Sequence, residues 1–242
     1  MDMDLAVGST GIDVGGGCTH RPSVDTFRTM ATANGSLVAA RTGGCGICHY
    51  LLMIAKDNVT GVVLAGGRSL RFGSDKAMQH WRGETFLTRA VNLLRPICAE
   101  VLISGGKEEY ASEGCRLLKD RYNGCGPLSG IHAALTTCRT EYALFLTCDM
   151  PLMEPAPLLR MLQQPPVFVI GWRLGGAGGG IFPLLVSSTL ADEVEEALKN
   201  ENYSIRRSLC ERVGAWMLDI PDEWATLFAN INHKEDLNNA LT

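Results

Sequence analysis

A surplus of positive charge, long apolar runs and a paired cysteine set are what this 242-residue sequence lacks. Lys and Arg total 22 against 26 Asp and Glu, a formal net charge of −4. No overall positive field therefore marks a nucleic-acid binder. Any anionic ligand must be held by a local cluster of cations and backbone amides. No apolar run approaches the roughly 20 residues needed to span a bilayer, so neither nucleic acid nor membrane is an expected partner. The first residues, MDMDLAVGSTGIDVGGG, carry acid where a secretory signal needs base, and they lack a long apolar centre. The expected location is cytoplasmic. Nine cysteines is an odd count. Cys98, Cys115, Cys138, Cys148 and Cys210 sit in apolar or turn contexts, which predicts reduced and largely buried thiols rather than a disulfide framework. Two phosphate-binding fingerprints are missing as well: neither G-x-G-x-x-G nor G-x-x-x-x-G-K-[ST] occurs at a strand end. No internal repeat is evident.

What is present is enough apolar material for one sizeable core, 46% of all residues, and one large domain is expected over two. Residues 1–57 stand apart. They are rich in Gly, Ala, Ser and Thr, show little period, and are read as a poorly ordered or non-native leader. Residues 58–242 carry the domain. GVVLAGG is a short β-branched run closed by glycines, as suits a buried parallel strand. FLTRAVNLLRPI places Phe86, Leu87, Ala90, Val91 and Leu94 at helical spacing. AEVLISGG, CRLLKD, EYALFLTCDMP, PVFVIGWRL, GIFPLLV and AWMLDI read as strands. GPLSGIHAALTTC, APLLRMLQQ, STLADEVEEALKN, SIRRSLCERVG and HKEDLNNAL read as helices. Strands alternating with helices predict an α/β fold, a mostly parallel central sheet with helices on both faces. In such sheets ligands sit beyond the C-terminal strand ends. Three strands end in suggestive residues: Gly66-Gly67, Ser104-Gly105-Gly106 and Asp149.

The stretch GVVLAGGRSLRFGSDKA ends a strand on two glycines and then gathers Arg68, Arg71 and Lys76. Glycines let the backbone turn sharply and approach a ligand with no Cβ in the way. Exposed amides then point at an anion, as in phosphate-binding nests. Arg71 supplies a planar fork and Lys76 a point charge. A bare Gly-Gly turn with solvated cations is the plainer alternative.

LAGGRSLRFGSDKA closely resembles the L-A-G-G-x-S-x-R-M-G-x-D-K-A signature of the molybdenum cofactor guanylyltransferases, nucleotidyltransferases with a Rossmann-like fold. Phe72 stands where the family usually has Met. The resemblance continues through KDRYNGCGPLSGIHAAL, FLTCDMP and NINHKEDL, in the family's order from Gly61 to Leu237, about three quarters of the chain. It covers none of residues 1–57. It implies transfer of GMP from GTP to molybdenum-bound molybdopterin, with release of pyrophosphate and with Mg2+ as cofactor. It also implies transient contact with molybdenum-insertion proteins and recipient molybdoenzymes. A cytidylyltransferase on the same pterin, or on another small anionic acceptor, is the nearest rival. A non-catalytic nucleotide-binding protein of the same fold is a rival of another class, and retention of Lys76 and Asp149 argues against it.

Residue by residue, the resemblance makes Lys76, Arg71 and Asp149 the expected catalytic set, with Asp149 holding the metal. A carboxylate at a strand end suits a hard ion that bridges phosphates. Leu64, Ala65, Gly66 and Gly67 match the loop that wraps the nucleotide, and Lys76 its nucleotide-binding lysine. Asp120 matches an acidic nucleotide-binding position. A carboxylate there accepts either from guanine N–H groups or from ribose hydroxyls. Ser104 lies where the family often has Asn. Asn230 and Asn232 match paired asparagines on the pterin side, although capping of the last helix is also open to Asn232. Here His233-Lys234 replaces the family's Thr-Pro. The CxxCH of Cys45, Cys48 and His49 spells a c-type haem attachment motif. It is discounted because haem attachment of this kind needs export. Zinc would want further ligands, such as Cys18 and His20, at a spacing that fits no standard finger.

Overall fold

The computed structural model describes residues 28–31, 37–40, 54–66, 75–105, 107–173, 181–232 and 236. The chain divides into two compact units, Met1–Leu51 and Leu52–Thr242. In the first, β1 (Arg28–Ala31) pairs antiparallel with β2 (Leu37–Ala40). These two strands fall where the sequence shows no clear period. The second unit starts a little upstream of residue 58. Ile54 is buried within it and its N–H donates to the carbonyl of Leu162 at 2.8 Å.

The second unit is built on β3 (Val59–Leu64), β6 (Glu100–Ser104), β7 (Arg116–Leu118), β8 (Tyr142–Thr147), β9 (Val169–Arg173), β10 (Leu184–Ser187) and β11 (Trp216–Asp219). Their order across the sheet is β11-β9-β10-β8-β3-β6-β7. Every pairing is parallel except those of β10, which runs against both β8 and β9. The sheet is mostly parallel, as expected, with one reversed strand. Connection length explains the reversal. A parallel crossover needs a dozen or more residues, usually a helix, and the segment 174–183 between β9 and β10 is too short and glycine-rich to supply one.

Among the described residues four α-helices cover the sheet: α1 (Phe86–Leu94), α2 (Pro127–Leu135), α3 (Pro155–Leu162) and α4 (Ala191–Lys199). The five α1 residues at helical spacing are the five it buries, and Thr85 caps it by accepting from the Thr88 N–H at 3.0 Å. Alternation along the strands splits the core in two. Val59, Val63, Leu144 and Leu146 pack with Leu87, Val91, Leu158 and Met161 on one face. Val62, Leu64, Ala143 and Phe145 pack with Leu128, Ile131, Val194 and Leu198 on the other. A sheet covered on both faces explains why β3 and β8 read as apolar runs rather than alternating ones.

Other elements depart from the sequence reading. His80–Trp81 (β4) and Glu84–Thr85 (β5) form a small antiparallel ladder, turned by Arg82 and Gly83 at φ 50° and 90°. The 3-10 segments Glu108–Glu113 and Asp222–Phe228 lack an apolar period to announce them. The helix expected over STLADEVEEALKN opens as a 3-10 turn, Ser188–Leu190, which Ser187 caps ahead of α4. The segment Arg206–Glu211 is wound as a π-helix. The helix expected over HKEDLNNAL lies outside the described residues except at Asp236.

Candidate active site

Three parallel strands end at the same level. Leu64 of β3 stands beside Ser104 of β6 and Thr147 of β8. The chain order reverses here, since β6 and β7 lie on one side of β3 and β8 on the other. A crevice at such a reversal, beyond the carboxyl strand ends, is where doubly wound sheets bind ligands. The backbone is stitched across it: Ala65 N–H donates to Ser104 O at 2.7 Å and Cys148 N–H to Leu64 O at 3.2 Å.

A cleft of about 630 Å³ opens at this edge, lined by Leu64, Gly66, Ser104, Gly105, Asp120, Gly124, Gly126, Pro127 and Gly130. The expected residues Leu64, Gly66 and Asp120 thus share one cavity, and buried Ala65 stands between the first two. The N-terminus of α2 faces it. Gly126 is the cap residue, with φ 66°, and Pro127 opens the helix. The helix dipole at that end favours an anion. Asp120 reaches in from beyond β7. Burial pushes its carboxyl up, and the Ser104 hydroxyl pulls the other way by donating to Oδ1 at 3.2 Å. Ser104 is buried, and α2 comes so close that a Cβ on Gly130 would lie 2.4 Å from the Ser104 Oγ. Ser104 therefore supports Asp120, a role its position alone did not suggest.

Lys76 and Asp149 meet on the other side of the β3 end. Lys76 Nζ donates to Asp149 Oδ2 at 3.2 Å and to Asn232 Oδ1 at 3.0 Å. Ile231 N–H donates to the Asp149 carbonyl at 2.9 Å, which ties the C-terminal segment to the end of β8. Three of the expected residues, 76, 149 and 232, are thus in direct contact across more than 150 positions of sequence. The Asn232 backbone N–H also donates to Asp236 Oδ2 at 2.7 Å; capping would instead make the Asn232 side chain the acceptor of a backbone N–H, whereas its Oδ1 accepts from Lys76. Asn230 is exposed beside the buried Ile231. Gly67 and Arg71 lie outside the described residues, as do Cys18, His20, Cys45, Cys48 and His49.

Asp149 tests the fit of a metal. Among the described residues its buried Oδ1 has no hydrogen-bond partner, and an anionic oxygen removed from water with no donor calls for a cation. Among the described residues no group of three or more His, Cys, Asp or Glu gathers. What fits is an ion that takes one carboxylate and completes its shell with phosphate and water oxygens, as Mg2+ does.

Asp75 and Tyr110 complete the neighbourhood. Burial pushes the Asp75 carboxyl up, but hydrogen bonds from Lys107, Tyr110 and the Ala77 N–H outweigh it and hold the group below the ordinary carboxylate range. Burial also pushes the Cys98 and Cys148 thiols up to about 12, so neither is a nucleophile at neutral pH. His132 is buried in α2 against Tyr122, with ring centroids 5.3 Å apart. Burial lowers its pKa, in keeping with a structural part.

Compared with known proteins, residues 61–215 match the family model described as the MobA-like NTP transferase domain. A Pelotomaculum thermopropionicum protein named "Probable molybdenum cofactor guanylyltransferase" is 44% identical over 106 residues, 43% of this chain and 52% of that protein. The match thus spans about half the length of that relative. An Aquifex aeolicus protein of the same name is 29% identical over 182 residues, covering 74% of this chain and 88% of its own. The solved molybdopterin-guanine dinucleotide biosynthesis protein A of Archaeoglobus fulgidus shares the fold, with a TM-score of 0.62 at 22% identity, over 75% of this chain and 96% of its own.

Proposed function

The chain belongs to the MobA-like NTP transferase family, and from that premise we propose that it transfers GMP from GTP to molybdenum-molybdopterin, forming a guanine dinucleotide cofactor and releasing pyrophosphate. The observation that carries this reading is the meeting of Lys76, Asp149 and Asn232 beside a cleft that holds Asp120. In-line phosphoryl chemistry of this kind needs positioning and charge neutralisation more than covalent help from the protein. The names carried by the relatives support the choice of guanylyl transfer.

The Ala65–Gly66 backbone, the Lys76 ammonium and the N-terminus of α2 bind and orient the triphosphate. Asp149 would hold Mg2+ through Oδ1, and the ion would supply positive charge to offset that of the phosphates. Asp120 accepts hydrogen bonds from the nucleoside, either from guanine N1–H and N2–H₂ or from the ribose. Asn232, whose Oδ1 accepts from Lys76, would contact the acceptor pterin. Arg71 assists the leaving pyrophosphate. The acceptor pterin and the recipient molybdoenzymes are partners on this reading.

The test is incubation with molybdenum-loaded molybdopterin, Mg2+ and one of GTP, CTP or ATP, with products identified by mass. A pocket that satisfies guanine's donors rejects a base lacking them by roughly 10⁴-fold or more, because its polar groups would otherwise go unpaired. The expected result is GMP transfer with GTP far ahead of the others. Equal use of GTP and CTP would overturn guanylyl transfer and leave the fold standing.

A further inference from the structure

Tyr110 has no part in the reading above. Its side chain is fully buried in the 3-10 segment Glu108–Glu113 that follows β6. Its hydroxyl lies 2.9 Å and 3.1 Å from Oδ2 and Oδ1 of Asp75, and 3.3 Å from the carbonyl oxygen of Ala65. A phenol has one proton to give, and a carboxylate is the stronger acceptor, so the bond goes to Asp75. Two more donors reach the same carboxylate: Ala77 N–H to Oδ1 at 3.1 Å, and Lys107 Nζ to Oδ2 at 2.7 Å. Three donors from three places converge on the residue immediately before Lys76. The Tyr110 ring is equally confined, since a Cβ on Gly105 would lie 2.9 Å from its Cε2. One side chain therefore touches the ends of β3 and β6 and the turn that carries Lys76.

We infer that Tyr110 and Asp75 are positioning residues for nucleoside triphosphate binding, fixing the turn from Asp75 to Gln79 so that the Lys76 ammonium stands at Asp149. This rests on the reading of Lys76 as a phosphate contact. A lysine is a point charge on a flexible stem, so its aim depends on how firmly its backbone is held. Met78 N–H to Asp75 O at 3.2 Å and Gln79 N–H to Lys76 O at 3.1 Å close the turn. Leu87 N–H to Ala77 O at 2.9 Å fastens it to the start of α1. The Asp75 carboxylate fastens its other end to Tyr110. Lys107 is half exposed and adds charge rather than fixed geometry, which leaves the buried hydroxyl as the anchor.

The Tyr110→Phe variant keeps the ring and removes only the hydroxyl, so a packing role alone predicts no change. Two measurements decide. Without ligand, amide hydrogen exchange at Ala77, whose N–H donates to Asp75, should quicken about tenfold while exchange at Val63 in β3 stays as it was. Unchanged exchange at Ala77 overturns the proposal. With GTP, affinity is measured in a double-mutant cycle against Lys76→Ala. Tyr110→Phe should weaken binding about tenfold in the native background and less than twofold once Lys76 is gone, because residues acting through one group are not additive. Equal losses in both backgrounds also overturn it. A chain that prefers CTP refutes guanylyl transfer alone, since the same cycle then runs with CTP.

Discussion

Asp149 carries two oxygens with opposite surroundings. Oδ2 takes the Lys76 ammonium at 3.2 Å, while Oδ1 is buried with no donor among the described residues. Replacing it by Asn keeps the shape and removes the charge that would hold Mg2+. The Asp149→Asn chain is expected to melt within a few degrees of the native chain and to lose roughly 10²–10³ in turnover, the scale of losing one group that stabilises developing charge. Near-native turnover with the same Mg2+ dependence would remove Asp149 from the metal. Asp75 makes a prediction about pH. Its folded-state pKa is depressed, so its contribution is present above the unfolded carboxylate value and lost as pH falls through the lowered one. Thermal melts of the native chain should therefore lose more between neutrality and strong acid than melts of Asp75→Asn. Parallel acid profiles would contradict that. Legibility at this scale follows the chemistry. Lys76, Asp120 and Asp149 stood out because they punctuate strand ends and motifs. Tyr110 sits in a short 3-10 segment with no period, and its value lies in contacts with Ala65 and Asp75 that no local pattern announces.

The elements that could be read were those whose burial follows a simple rule. The five apolar positions of α1 and the unbroken runs of β3 and β8 each declare one buried face or two. The reversal of β10 could not be read from its own residues, because LLVS is equally apolar in either direction. It follows from the short connection after β9 and from pairing with Ala143–Phe145. The π winding of Arg206–Glu211 has no local residue signal either. The contact of α2 with β6 is where element packing meets the site. A Cβ at Gly130 would lie 2.4 Å from Ser104 Oγ and 3.0 Å from Leu64 Cδ2. Gly130→Ala must push α2 outward or turn the Ser104 hydroxyl away from Asp120. Overpacking of this kind costs about 1–3 kcal/mol, and nucleotide affinity should fall with it. Adding Ser104→Ala relieves the nearer contact, so the double variant should be more stable than Gly130→Ala alone. Simple addition of the two losses in thermal melts would show that the helix does not press on Ser104.

At the scale of the whole molecule, the question is which residues the sheet requires in order to stand alone. Among the described residues one half of its core runs from Ile54 to Ile231 and the other from Val62 to Leu209. Ile54 is buried, and its N–H bonds Leu162 at the end of α3, so the required chain begins before the first strand. The composition break near residue 57 was legible because Gly, Ala, Ser and Thr give way to β-branched runs. The anchoring of Ile54 was not legible, because a single isoleucine carries no period. A chain starting at Met53 keeps that anchor. It is expected to melt within about 2 °C of the full chain and, on the proposed reading, to transfer GMP at the same rate. A chain starting at Val59 loses a buried isoleucine, about 1.5–3 kcal/mol of burial. For a unit of this size that is a fall in Tm of roughly 3–12 °C. Failure of the Met53 chain to fold, or its loss of transfer, would show that residues 1–52 belong to the working enzyme. Equal melting of the two shortened chains would show that Ile54 is packed but contributes nothing.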